Sequence, residues 1–314
     1  MGLSHFRDRV VRIARDQGFP LVGFLNRRDA NFGNWIGDWL DGGYHGEMKW
    51  MERHRAIRRA PCTIEPYSES IITMAYPYFT KKPDCWRGRN PISNYAWGAD
   101  YHKVLKRKIE HILAEIRLAE PTFEGRGFVD SAPIPEKITA AVSGLGWVGK
   151  NGMLINRHLG SYLFLAEIVC NIPFSSTPSV KPLCGRCTKC IDACPAGAIM
   201  EGAKIDCRSC ISYLTIEKRE AFTDSEKSKI DYQLFGCDIC QQVCPWNRKQ
   251  REIPNSPFRC FERWMDLDLD RIDRLTDREY EVLKRNSPIK RVKLGELKRN
   301  ARAIAETGRR QGFD

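Results

Sequence analysis

Apolar residues recur at helical spacing from the start of the chain, with Phe6, Val10, Ile13 and Ala14 on one face, Ser4 placed to cap and Gly18 placed to stop. A short apolar run at 21–25 then predicts a strand, and SIITMAY at 70–76, residues 127–129 and SYLFLAEIV at 161–169 predict three more. Between them Asp100 can cap a long helix carrying Val104, Leu105, Ile109, Ile112, Leu113 and Ile116 on one stripe, and EKITAAVS from Glu136 reads as a helix. Helices interspersed with short apolar strands predict an α/β (α+β) unit over residues 1–178. NIPFSSTPSVKP, from Asn171 to Pro182, reads as a linker. A cysteine-rich unit over 179–250 and a basic helical tail over 251–314 follow it. KRVKLGELKRNARAIAE in that tail resembles one arm of a helical repeat, too little for a solenoid.

At 314 residues with 42% hydrophobic and 29% charged positions, the chain can bury a real core and is not expected to be disordered. No apolar stretch approaches a spanning length, and MGLSHFRDRVV places charges where a secretory signal needs its apolar segment. The expectation is a cytoplasmic protein with no membrane partner. The net charge of +12 is concentrated: 284–310 holds ten basic residues against Glu296 and Glu306. Such a block suits a polyanion such as nucleic acid, or is simply a solvated helical face. Charge alone leaves the two readings equal.

The cysteines change the picture. Of thirteen, nine fall between Cys184 and Cys244. In a chain read as cytoplasmic, that density argues for metal ligation over disulfides. CGRCTKCIDACP sets Cys184, Cys187, Cys190 and Cys194 before Pro195, the C-x2-C-x2-C-x3-C-P spacing of two-cluster ferredoxins. Two-residue gaps place three thiolates on one cubane, whereas the fourth cysteine points toward a second. GCDICQQVCP supplies Cys237, Cys240 and Cys244 but lacks a first cysteine, which Cys207 or Cys210 can provide. By this logic Cys184, Cys187, Cys190 and Cys244 hold one [4Fe-4S] cluster, and Cys194, Cys237, Cys240 and either Cys207 or Cys210 hold the other. Zinc is the competing ligand, because Cys184, Cys187, Cys207 and Cys210 approach zinc-ribbon spacing, but it leaves five neighbouring cysteines and both Cys-Pro steps unexplained.

Clusters alone make an electron-transfer module, so the first 178 residues should hold whatever receives the electrons. Gly144, Gly146 and Gly149 match G-x-G-x-x-G, with Glu167 beyond them. A dinucleotide site needs a strand before those glycines and a helix after, and here the order is helix and then irregular chain. The glycines better suit close approach to another large ligand, or turns. Asp130 ends GFVD at a strand terminus before SAPIP, a place that can hold a general acid, although most aspartates there are turn or cap residues.

Together GFVDSAPIPEKITAAVSGLGWVGKNGMLI, SYLFLAEIVCNIPF, CGRCTKCIDACPAGAI, CISYLTIE and FGCDICQQVCPWN, with YAWGADYHKVLK and IRRAPCTIEP, closely resemble the epoxyqueuosine reductases, from the N-terminus to about Asn247. The resemblance implies a cobalamin-binding domain joined to a ferredoxin-like double-cluster domain. It implies reduction of epoxyqueuosine to queuosine at the wobble position of a tRNA anticodon, the last step of queuosine biosynthesis. Electrons would pass from an external donor, a flavodoxin, a ferredoxin or a chemical reductant, through two [4Fe-4S] clusters to cobalamin, in a monomer. Asp130 is implied as proton donor beside the corrin, Arg58 as a cofactor neighbour, and Val148, Lys150, Asn151 and Leu154 as cobalamin contacts. Cys210 becomes the missing cluster ligand, leaving Cys207 as an extra, and Ser212 approaches the corrin.

Ser93 stands where some relatives carry a cysteine beside the cofactor, so a role for that thiol is absent here. Relatives also continue into a fuller helical repeat, whose RNA-gripping work the basic tail is expected to do with less surface. Asp100, Tyr101 and His102 begin like the D-x-H-x-x-G motif that gives cobalamin a lower histidine, but Leu105 occupies the glycine position. A cobalt without that ligand suits reductive chemistry, and His102 is left as a structural residue or a substrate contact. Two other classes share features with this one: a reductive dehalogenase, against which the missing export signal and basic tail count, and a plain electron-transfer protein.

Overall fold

The computed structural model describes residues 2–83, 91–265 and 268–310, with side chains as far as residue 307; Cys85 lies outside them. Six strands occur in chain order: β1 (Leu21–Asn26), β2 (Ser70–Pro77), β3 (Gly125–Phe128), β4 (Trp147–Val148), β5 (Leu154–Ile155) and β6 (Leu163–Cys170). Four form a sheet in the order β1-β2-β6-β3, and every pairing in it is antiparallel. The first unit is therefore α+β. The central strands β2 and β6 read as continuous apolar runs because both sheet faces are covered. On one face Ile72, Met74, Ala166 and Ile168 pack under the Leu3–Asp16 and Tyr101–Ala119 helices through Phe6, Val10, Leu105, Ile109 and Ile112. On the other, Ala75, Leu163 and Leu165 meet Ala140 of the Glu136–Val142 helix together with Leu145 and Leu154.

Asp100 caps its helix as expected, its carboxylate accepting from the His102 N–H at 3.2 Å. Ser4 does not cap: Gly2 holds the N-cap place without a side-chain bond, and Ser4 lies inside the helix. Strand β3 begins two residues earlier than the pattern suggested, because Gly125 already pairs with Cys170. β4 and β5 form a hairpin of two residues a side, too short to leave a periodic signature.

The segment read as a linker is bound along β1. Thr177 N donates to Phe24 O, Phe24 N and Asn26 N donate to the Thr177 and Ser176 hydroxyls, and Phe174 is fully buried. Exposed edge groups of β1 are thereby satisfied. A second core gathers Ile92, Ala96 and Trp97 with Tyr213, Leu214 and Phe235 and with Trp264, Leu283, Leu297 and Ile304. This core draws residues from before 178, from 213–235 and from beyond 250, and the basic tail packs into it.

Candidate active site and cluster ligands

Asp130 follows β3 with φ at 47°, in the left-handed region that Asp tolerates better than most residues. The bend carries its carboxylate out of the sheet line. Tyr101 Oη donates to Asp130 Oδ2 at 2.7 Å, and His102 Nε2 lies 3.4 Å from the same oxygen. The other ring nitrogen, Nδ1, is 2.8 Å from Asp100 Oδ1. Asp100 is buried, and its second oxygen takes Lys290 Nζ from the Pro288–Arg291 turn. Two carboxylates thus bracket one imidazole, and their charge raises the His102 pKa to about 9 against the cost of burial. The imidazolium and the Tyr101 hydroxyl in turn hold the Asp130 pKa below its ordinary value, although desolvation opposes them. The Asp130 side chain keeps 59% of its surface accessible, so a substrate can reach the carboxylate.

Behind Asp130 lie two more carboxyl groups. Asp130 N donates to Glu136 Oε1 at 2.6 Å, and Glu136 neighbours Glu167, a fully buried residue of β6. Neither Glu167 oxygen has a donor group in bonding range among the described residues. Burial and the neighbouring negative charges push Glu136 up to about 8 and Glu167 well above the usual carboxylate range. Two facing carboxylates cannot both ionise in such a place, so the pair retains a proton at neutral pH.

The β4–β5 hairpin explains the glycine pattern. A Cβ on Gly146 would lie 2.1 Å from Ile155 O, and one on Gly149 would lie 2.4 Å from Ile155 Cδ1, so the glycines let the hairpin close on itself. Val148 pairs with Leu154 across it. The Leu154 side chain points into the core, leaving its backbone for any cofactor contact. Lys150 Nζ donates to Cys187 O at 3.0 Å and Asn151 Nδ2 to Cys240 O at 3.4 Å, which stitches the hairpin to both cysteine loops. Ser93, also buried, donates its hydroxyl to Asp238 between Cys237 and Cys240, and Asn94 N donates to the same carboxylate at 2.6 Å. Arg58 is buried, donates to Met51 O at 3.2 Å and stacks toward Trp50.

Among the cysteines, electrostatic neighbours fall into two groups. Cys190 and Cys244 feel Cys184 and Cys187, whereas Cys237 feels Cys194 and Cys210, and Cys240 feels Cys237 and Cys210. Cys190 also reaches Cys240, so the groups are adjacent. Cys207 touches this arrangement through Cys210 and sits among the side chains of the second core. Burial raises the Cys210, Cys237 and Cys244 thiols, Cys237 to about 12, but main-chain N–H groups oppose it. Ser212 and Tyr213 N–H point at Cys210, Ile239 N–H at Cys237, and Trp246 and Asn247 N–H at Cys244. Trp147 Nε1 adds a donor 3.5 Å from Cys184 Sγ. Eight thiols in two adjacent groups, each aimed at by amide donors, fit a pair of cubane clusters.

Sequence reasoning missed Tyr101, Glu136 and Lys137 as members of the site. Lys137 lies 3.8 Å from Met153 Sδ, and its charge is felt by Asp130 and Glu136 on one side and by Cys207 and Cys210 on the other. The field of one lysine thus reaches both Asp130 and Cys210. Its one sequence signal is a cation in the first turn of a helix, where the dipole disfavours it.

The comparisons agree with this arrangement. A family model described as 4Fe-4S double cluster binding domain matches residues 183–247, and one described as epoxyqueuosine reductase QueG, DUF1730, matches 58–131. An epoxyqueuosine reductase of Cyclobacterium marinum is 39% identical over 298 residues, covering 93% of this chain and 94% of the relative. One from Leadbetterella byssophila is 39% identical over 276 residues, covering 85% and 87%. A crystal structure of epoxyqueuosine reductase with an epoxyqueuosine-modified tRNA-Tyr stem loop superposes with a TM-score of 0.89 at 25% identity, covering 98% of this chain and 82% of that one. The double-cluster match falls on the cysteine loops, in keeping with the two [4Fe-4S] clusters implied by the sequence. With two thirds of its length and far more matched to enzymes of one kind, the chain belongs to the epoxyqueuosine reductase family.

Proposed function

We propose that this chain reduces epoxyqueuosine in a tRNA anticodon to queuosine, with Asp130 delivering a proton to the epoxide oxygen. The observation that carries the reading is the accessible Asp130 carboxylate bracketed by Tyr101 and His102, in the field of Lys137, which also reaches Cys207 and Cys210. When bound, cobalamin and the two clusters supply two electrons, and with two protons the epoxide oxygen leaves as water. Cys184, Cys187, Cys190 and Cys244 hold one cluster, and Cys194, Cys210, Cys237 and Cys240 the other. Around the corrin the reading sets the backbone of Val148 to Leu154, the Ser212 helix start, Ser93 and Arg58. Lys150 and Asn151 serve it by fixing the hairpin to the cysteine loops.

The modified base must leave the anticodon stack to bring its epoxide to the Asp130 carboxylate. Phosphate contacts hold the RNA, and the structure revises which tail cations are free for them. Arg299 donates to the carbonyls of Leu214, Lys218 and Glu220 and stacks on Phe222 at 3.9 Å, Arg291 pairs with Glu217, and Lys290 pairs with Asp100. Among the tail cations Lys290, Arg291, Lys298 and Arg299, the reading therefore gives the phosphate contact to Lys298.

An external electron donor has a groove to use, lined by Lys189, Asp192, Ala193, Gln242, Val243 and Arg248, between the short helices that carry Cys190 and Cys240. The reading places a monomer in the cytoplasm, where tRNA is met; no described helix is long and apolar enough to cross a membrane. Anaerobic titration of cob(II)alamin into the iron-reconstituted chain, followed by electron paramagnetic resonance, tests the assignment. One equivalent of base-off cobalt signal supports it, and absence of binding with both clusters intact removes it.

A further inference from the structure

His102 was left by the sequence as a structural residue or a substrate contact. Its surroundings give it a task. Starting from the C-terminal unit, Lys290 Nζ meets Asp100 Oδ2, Asp100 Oδ1 meets His102 Nδ1, and His102 Nε2 meets Asp130 Oδ2. Charges alternate along this chain: ammonium, carboxylate, imidazolium, carboxylate. From these contacts we infer that His102 is a positioning residue that reprotonates Asp130, and that Asp100, held by Lys290, fixes the imidazole in the orientation this requires. The inference rests on the proposed proton-donor role of Asp130.

The geometry is restrictive. Asp100 is 1% exposed and is also the helix cap, so it cannot swing away from the ring. Tyr101 stacks on His102 with centroids 4.0 Å apart and donates its own hydroxyl to the Asp130 oxygen that faces Nε2. The side of the ring toward solvent keeps 37% of its surface, which is the route by which a proton returns. One proton moves from His102 Nε2 to Asp130 Oδ2 when the base is bound, Asp130 passes that proton to the substrate oxygen, and water then reprotonates the ring. No electron moves in this step. In the substrate-free state an ionised Asp130 against an imidazolium is favoured, and exclusion of water by a bound base favours the neutral pair. The charged groups facing the ring are Asp100 and Lys290 on one side and Asp130 on the other. Behind Asp130 stand Glu136 and Lys137, and Arg291, whose field reaches Asp130 and Tyr101, is paired with Glu217.

Two readouts test this. Single-turnover reduction of an epoxyqueuosine-bearing anticodon stem loop by the cofactor-loaded enzyme is followed from pH 5.5 to 9.5 in the wild type, His102→Gln, Lys290→Met and Lys290→Arg. The wild-type rate should hold to about pH 8 and fall above about pH 9, where the imidazolium is lost. His102→Gln should lose on the order of 100-fold at pH 8 and regain activity as pH falls, because Asp130 must then take its proton directly from water. Lys290→Met should lose about tenfold and Lys290→Arg should restore most of it. A His102→Gln profile of unchanged shape, whatever its height, overturns the inference. Ring-nitrogen NMR of histidine-labelled protein supplies the second readout, which needs no turnover. His102 should titrate near 9 in the wild type and at least one unit lower in Asp130→Asn; equal values overturn the relay. A wild type that fails to reduce the substrate while its His102 titrates as described refutes the proposed function and leaves the coupled pair standing.

Discussion

The indole N–H of Trp147 points at the sulfur of Cys184 across 3.5 Å, so the first residue of the β4–β5 hairpin touches a proposed cluster ligand directly. Trp147 is 1% exposed, packed edge-on against Trp246 and held with Ile155 and Cys244 in one small apolar cluster. A donor at a ligand sulfur stabilises the more negative, reduced cluster. Trp147→Phe should therefore shift the potential of one cluster to a more negative value and leave the other in place. Redox titration followed by electron paramagnetic resonance reads this, and two unchanged potentials would mean the contact carries no electronic weight.

The two candidate eighth ligands give opposite expectations. Cys210 feels Cys194 and is approached by two amide donors, whereas Cys207 meets the group through Cys210. Iron analysis after anaerobic reconstitution should find about eight irons in Cys207→Ser and about four in Cys210→Ser. The reverse result would exchange the two roles.

Burying the Glu136–Glu167 pair has a cost that depends on pH. Both carboxyls are raised in the folded state, Glu136 to about 8. Folding then binds protons these groups lack when unfolded. Their contribution is complete below about pH 4.5 and is lost as pH rises through about 8. Glu167→Gln removes the need to hold or expel that proton. Relative to wild type it should gain about 1–3 kcal/mol at pH 8.5 and little at pH 5, measured by urea unfolding. A difference independent of pH would show that the pair does not share a proton.

Arg299 tests the revised view of the tail. Its guanidinium serves three carbonyls and the Phe222 ring inside the fold. Arg299→Ala should cost about 2–3 kcal/mol of stability, and it should leave the salt dependence of RNA binding unchanged. Lys298→Ala should do the opposite, lowering the slope of affinity against salt by about one. A steep loss of RNA affinity in fully folded Arg299→Ala would return that residue to the phosphate interface.

What the chain announced and what it concealed follow a physical rule. Long periodic elements such as Tyr101–Ala119 and β6 were legible because burial on one stripe or both faces dictates residue type over many positions. The double-cluster domain was legible because cluster geometry demands fixed short gaps between cysteines. The β4–β5 hairpin was not, since two residues per strand impose no period. Nor was the bound course of 171–182, whose hydroxyls and carbonyls pair with β1 about 150 residues away. The grouping of Asp130 with Tyr101, His102, Glu136 and Glu167 depends on the sheet order, which brings β3 beside β6 and under the Tyr101 helix. Lys290 and Arg299 read as free charges because their partners, a buried carboxylate and a set of carbonyls, leave no local sequence signal.

The central claim is that Asp130 delivers the proton that turns epoxyqueuosine into queuosine. Its most direct test is anaerobic conversion of an epoxyqueuosine-bearing anticodon stem loop by the chain loaded with cobalamin and both clusters, with the nucleosides resolved by mass spectrometry. Wild type should form queuosine within one turnover, and Asp130→Asn, loaded to the same cobalt and iron content, should be slower by on the order of 100-fold or more. Equal rates in the two proteins, or no queuosine from a fully loaded wild type, would contradict the account.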